Sequence, residues 1–215
     1  MASSLLNLSI LVLCLTFVST KSLEKAAEKE VIGRDKLLTT IEQLFLAGRK
    51  LKIYSEAYRF FLSFEDDGNP YLKAFFDALD SLSQYTQRSV EMMKASYQNV
   101  NNASLSGLDR LSIVLRRAKK EIDAEKISLE ESINQTEDIF NHVSSKLAPH
   151  QQRRIYSLLH EIDDLIQRAK EVFYEFGDDS IVLLKKVTRA KEDISEVRQE
   201  ATTRLEPSES ITGKK

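Results

Sequence analysis

LDRLSIVLRRAKKEIDAEKISLEESINQTEDIFNHVSSKLAP, residues 108–149, decides the fold. Leu108, Leu111, Leu115, Ala118 and Ile122, then Leu129, Ile133, Thr136, Phe140, Val143 and Leu147, follow one another in steps of three and four or their sum. That spacing puts a narrow apolar seam on one face of a helix and is incompatible with the two-residue period of a strand. Pro149 ends the run, because proline cannot continue a helix begun before it. From about Ser106 to Ala148 the chain therefore reads as one helix, roughly 60 Å long at 1.5 Å per residue.

The same period extends in both directions. The first helix is expected from about Ser22 to Leu62, with Leu38, Ile41, Phe45, Leu51, Tyr58 and Leu62 on its inner side. FEDDGNP, residues 64–70, then breaks the chain, with turn chemistry at Asp67, Gly68 and Asn69 and Pro70 suited to a first helical position. The second helix, Pro70 to about Asn99, buries Leu72, Phe76, Leu79, Leu82, Val90, Met93 and Tyr97 and ends in the polar stretch NVNNASLSG. The fourth, Pro149 to about Leu205, carries a seam from Ile155 to Phe176 that resumes at Leu183 and continues through Val187, Ala190, Ile194, Val197, Ala201 and Leu205. Because phase is kept across Gly177-Asp178-Asp179, a kink is expected there in place of a reversal.

Short connections force neighbouring helices to run antiparallel. The fold class is thus all-α: an elongated antiparallel helical bundle made of two long coiled-coil-like hairpins, residues 22–99 and 106–205, in one domain spanning 21–205. Residues 206–215, EPSESITGKK, read as a disordered tail. Helices longer than their partners would overhang, and overhanging ends can support homo-oligomers.

The first twenty residues differ in kind. A polar start, an apolar run from Leu8 to Val18 and small residues before Lys21 read as a cleavable signal peptide, residues 1–20, short in its apolar part for a membrane span, with an uncleaved N-terminal anchor as the alternative. The only cysteine, Cys14, lies inside it, so the mature chain would fold without disulfides and has neither a thiol nucleophile nor thiolate metal ligands. About 190 mature residues suffice for a core without such staples. A formal net charge of -2 gives no reason to expect nucleic acid as a partner.

Within a secreted chain, two acceptors for N-linked sugar stand out. Asn102-Ala103-Ser104 falls in the expected loop between the hairpins; Asn134-Gln135-Thr136 lies on the third helix, with Asn134 turned about 100° from the seam residue Ile133 and so toward solvent. The plain alternative for Asn134 is a solvated helix residue. The densest basic run, Arg116, Arg117, Lys119 and Lys120, could hold anions, but a hairpin turning at Pro149 sets it beside Asp178 and Asp179, and pairing within the hairpin is the expectation.

Tyr54, Tyr58, Phe60, Phe61, Phe64, Tyr71, Phe75 and Phe76 crowd the first turn and spread over more than one helix face. They form either an aromatic plug, joined by Phe173, Tyr174 and Phe176, or a site for a ligand or partner. No chemistry is legible elsewhere. His142, His150 and His160 form no HExxH pair, no glycine-rich phosphate loop occurs, and the carboxylates alternate with Lys and Arg as surface pairs do. Neither an enzyme nor a cofactor or metal site is expected.

In its general character, with a signal peptide, long amphipathic helices, no mature cysteine and a sequon at Asn102, the chain resembles the cysteine-poor, all-helical secreted proteins found in the saliva of blood-feeding insects. That resemblance implies a non-enzymatic effector that binds an extracellular protein of host haemostasis or immunity. Two alternatives are a carrier of lipid or a small apolar ligand, similar to apolipophorin-type bundles, and a structural coiled-coil oligomer.

Overall fold

The computed structural model describes the backbone of residues 2–62 and 70–205 and the side chains of 21–60, 70–196 and 199. It contains four α-helices, α1 (Ala2–Leu62), α2 (Pro70–Ser104), α3 (Leu108–Val143) and α4 (Pro149–Leu205), with a single 3₁₀ turn at Ser144–Lys146. Among the described residues there is no strand, and no helix is long and apolar enough to cross a membrane. The turn 64–69 and the tail 206–215 lie outside the described residues.

The helices run up, down, up and down, and α4 closes the ring by packing along α1. Lys186 Nζ reaches Ser22 O at 3.0 Å, the backbone of Phe176 faces Gly33, and Lys50 pairs with Glu161 at 3.2 Å, so the α1–α4 contact is antiparallel over most of its length. Arg59 bridges α1 to Asp77 and Asp80 of α2, Ser89 donates to Glu125 across α2 and α3, and Asn141 accepts from Tyr156 across α3 and α4.

The core follows the seams. Leu111, Leu115, Ala118, Ile122, Leu129, Ile133, Thr136, Phe140 and Val143 of α3 are all buried, as their period requires. In α1 the inner residues are Leu37, Ile41, Leu44, Leu51 and Tyr58, while Leu38, expected among them, is 40% exposed. The first helix carries apolar residues on two faces, so periodicity alone does not choose between neighbouring positions.

Boundaries shift where burial overrides local polarity. α2 does not stop near Asn99 but continues to Ser104, because Val100 and Ala103 are buried against the bundle. Gly107, at φ 116°, reverses the chain, and α3 starts at Leu108. The second reversal is fixed by two glutamines: Ala148 N donates to Gln151 Oε1 at 2.8 Å, a backward cap of the kind that closes helix N-termini, and Gln152 Nε2 donates to the carbonyls of Ser144 and Leu147. α4 is helical without interruption through Gly177. After Ser180 none of its described side chains is buried, and Ile194, expected on the seam, is 65% exposed. α2 and α3 have ended by that level, so the described part of the expected second seam, Leu183 to Ile194, has neither of them to cover it.

Candidate functional site

The aromatic residues around the first turn divide between core and surface. Phe75 and Phe76 are buried; Phe75 packs against Phe140 at a centroid distance of 5.5 Å, and Phe140 meets Tyr156 edge to face at 4.8 Å. This cluster joins α2, α3 and α4 at the end of the bundle next to the first turn, with Tyr156 on its exposed edge. Tyr71 is exposed and stacks on His142 at 6.0 Å, and Phe60 is exposed on α1. The side chains of Phe61 and Phe64 lie outside the described residues.

The expected joining of Phe173, Tyr174 and Phe176 to this plug does not occur. Phe173 and Phe176 are buried with Tyr97 nearer the other end of the bundle, 5.5 Å separating the Tyr97 and Phe176 rings. The antiparallel course of α4 sets residues near 155 level with the first turn and carries residues near 175 away from it. Tyr174 instead donates to Asp123 Oδ2 at 2.7 Å, while Lys170 Nζ forms an ion pair with the same carboxylate at 2.7 Å. Lys170 and Tyr174 hold the Asp123 carboxyl below its usual range; burial, then the bond to Asp123, pushes the Tyr174 phenol up to about 12.

Lys119 of the basic run also belongs to this network, lying over the Tyr174 ring and pairing with Asp178 at 3.0 Å, as the hairpin geometry predicts. Arg117 pairs with Glu121 on its own helix. Asp179 faces α1 instead, with an oxygen near Gly33, and adds to the burial that raises the pKa of Glu30.

The arrangement best suited to binding is a cleft of about 410 Å³ between α1 and the start of α4, beside the aromatic end. Tyr54, stacked on Tyr58 at 5.9 Å, forms one wall; His150, Arg153 and Arg154 form the other, with Lys50 paired to Glu161 at the rim. Among the described residues no carboxylate lies within ion-pair distance of Arg153, Arg154 or His150. α4 has no acidic residue in its first turn, and Arg153 and Arg154 follow in its second. Beneath this wall the buried Tyr58 hydroxyl makes no aligned hydrogen bond among the described residues; burial raises its pKa and the nearby Arg154 guanidinium pulls it back. The cleft can hold an anionic group against an aromatic face. Tyr54 and Tyr58 were legible as members, but the basic wall was not, because only the fold brings residues 150–154 to residues 50–58.

Both sequon asparagines are exposed. Asn134 is on the outer face of α3, with Thr136 buried and bonded to Ser132 O at 2.7 Å. Asn102 is not in a loop, as expected, but in the last turn of α2, at the end of the bundle away from the cleft. No group of His, Cys, Asp and Glu able to hold a metal ion occurs among the described residues. No family model, curated protein or solved structure matches the chain.

Proposed function

We propose that the chain is a secreted, non-enzymatic interaction protein that binds an extracellular partner through its helical surface, at the basic cleft and the aromatic end beside it. The supporting observation is the convergence of Arg153, Arg154 and His150 on Tyr54, with no carboxylate within ion-pair distance of them among the described residues and the one lining carboxylate, Glu161, taken by Lys50. Two neighbouring arginines with no carboxylate partner among the described residues repel each other in the free protein, and an acidic group supplied from outside relieves that repulsion. A tyrosine wall adds contact area at small entropic cost, the combination found at protein-binding hot spots. The partner is accordingly a protein with an acidic surface. The salivary resemblance makes host haemostatic and immune-cell proteins the first set to screen.

The test uses chain secreted from eukaryotic cells, screened against a displayed panel of extracellular proteins, in parallel with Arg153→Glu/Arg154→Glu. A partner bound by the parent, lost in the variant and weakened by salt supports the reading. Stoichiometric lipid in the purified protein would replace it with the carrier alternative, and binding indifferent to both substitutions would remove the cleft from it.

A further inference from the structure

α1 presents a second apolar line outside the buried core. Leu38 is 40% exposed, Leu46 48%, Ile53 56% and Phe60 62%, and their spacing of seven or eight residues keeps them on the face turned away from the core. From Leu38 to Phe60 the line runs roughly 33 Å, and Val31 extends it. An outward face of a bundle helix is ordinarily polar, and an apolar line this long marks a surface that another molecule covers.

Charge on the same face identifies that molecule. Among the charged residues of this face, Asp35 pairs with Arg34 at 3.5 Å and Glu56 with Lys52 at 4.0 Å, each within its own chain. Glu42 and Arg49 are flanked by apolar neighbours at the positions one turn away and have no ion partner of opposite sign among the described residues; Arg49 lies only over the Phe45 ring, at 5.9 Å. We infer that the covering molecule is a second copy of this chain, laid antiparallel on α1 about a two-fold axis between Phe45 and Leu46. That axis sets Leu46 beside its own symmetry mate, Leu38 opposite Ile53, Val31 opposite Phe60, and Glu42 opposite Arg49 twice over. A two-fold interface needs a patch complementary to itself, and this face satisfies that condition in both apolar spacing and charge. The same register sets Asp35 opposite Glu56, a like-charge pairing toward the ends of the contact that Arg34 and Lys52, each paired to one of these carboxylates, partly offset.

Single cysteines read the register directly. In a Cys14→Ser background, Leu46→Cys is expected to give a disulfide-linked dimer on mild oxidation, Leu38→Cys and Ile53→Cys none alone, and a mixture of the last two a crosslinked heterodimer. In sedimentation experiments Leu46→Glu and Arg49→Glu each weaken the dimer by at least about tenfold, and Glu42→Arg combined with Arg49→Glu restores it. These positions are on the surface, so helicity by circular dichroism stays at the parent level. A parent that stays monomeric at every concentration up to about 1 mM, crosslinking of all three single cysteines alike, or a charge swap that fails to restore association would overturn the assignment.

Discussion

Gly48 and Gly177 each stand where two helices approach closely, and the atoms opposite them decide whether a methyl group is tolerated. A Cβ on Gly48 would lie 2.9 Å from Thr86 Cγ2 and 3.1 Å from Thr86 Cβ. Thr86 is β-branched and tied to Leu82 O at 2.8 Å, so it cannot turn aside. On Gly177 the Cβ would meet Leu115 Cδ2 at 2.6 Å, the far end of a side chain that can move. Exchanging glycine for alanine in a helix gains about 1 kcal/mol, and overpacking costs about 1–3 kcal/mol. Gly48→Ala is therefore expected to lower stability by about 1 kcal/mol and Gly177→Ala to leave it equal or higher, an order that urea unfolding of the two variants checks. Tyr174 makes a pH-dependent contribution. With the folded phenol at about 12 and the ordinary value at 10.0, its stabilisation is complete below pH 10 and is lost as pH rises toward 12. Asp123, lowered in the fold from 3.8, works in the opposite window: its stabilisation is present above that value and is lost as pH falls through the folded one. Tyr174→Phe should flatten the alkaline part of a melting-temperature profile and move the acid limb upward, since Asp123 loses a donor. An unchanged profile would show that the Tyr174–Asp123 bond does not persist in solution.

At the scale of elements, a seam is buried only where neighbours exist to bury it. The residues of α3 were legible because α2 and α4 flank it along its whole length, and every seam residue from Leu111 to Val143 is inside. The continuation of α4 repeats the same spacing at Leu183, Val187, Ala190 and Ile194, yet α2 ends at Ser104 and α3 begins at Leu108, so that part passes beyond these two helices and keeps only α1 beside it. Period reports the face of a helix and is silent on the length of its partners. For the same reason Leu38 was misplaced, since α1 has an inner line and an outer one of similar composition. The cleft was legible only in its tyrosines, because the cations facing them are about a hundred residues distant in the chain. Two substitutions separate pattern from burial. Phe176→Ala empties a packed site between α1, α2 and α4 and should cost about 3–5 kcal/mol, whereas Ile194→Ala should stay within about 0.5 kcal/mol. Equal losses in denaturant unfolding would mean that the projecting part of α4 is covered in solution.

Over the whole molecule the surfaces are apportioned by helix. The cleft lies between α1 and α4, and the apolar line occupies the outer face of α1. Asn134 is on α3, which packs on α2 and α4 and stands diagonally across the ring from α1; Asn102 is in the last turn of α2, in the neighbourhood of Arg110 and Arg117, at the opposite end from Tyr54 and Arg154. Sugars at these two positions would cover faces that neither of the two proposed binding surfaces uses and would leave both open. The proposed secretory route makes this measurable. From eukaryotic cells the chain is expected to carry N-linked sugar, its mass falling on treatment with a deglycosidase, with Asn102→Gln and Asn134→Gln each removing one glycan. Removing the sugars should change neither the Leu46→Cys crosslink nor binding at the cleft by more than about twofold. A chain that leaves the cell with both sequons empty would take away the sugar-based support for secretion, and an unglycosylated chain that binds or dimerises much more tightly would mean that the sugars stand on a surface in use, contrary to this division of faces.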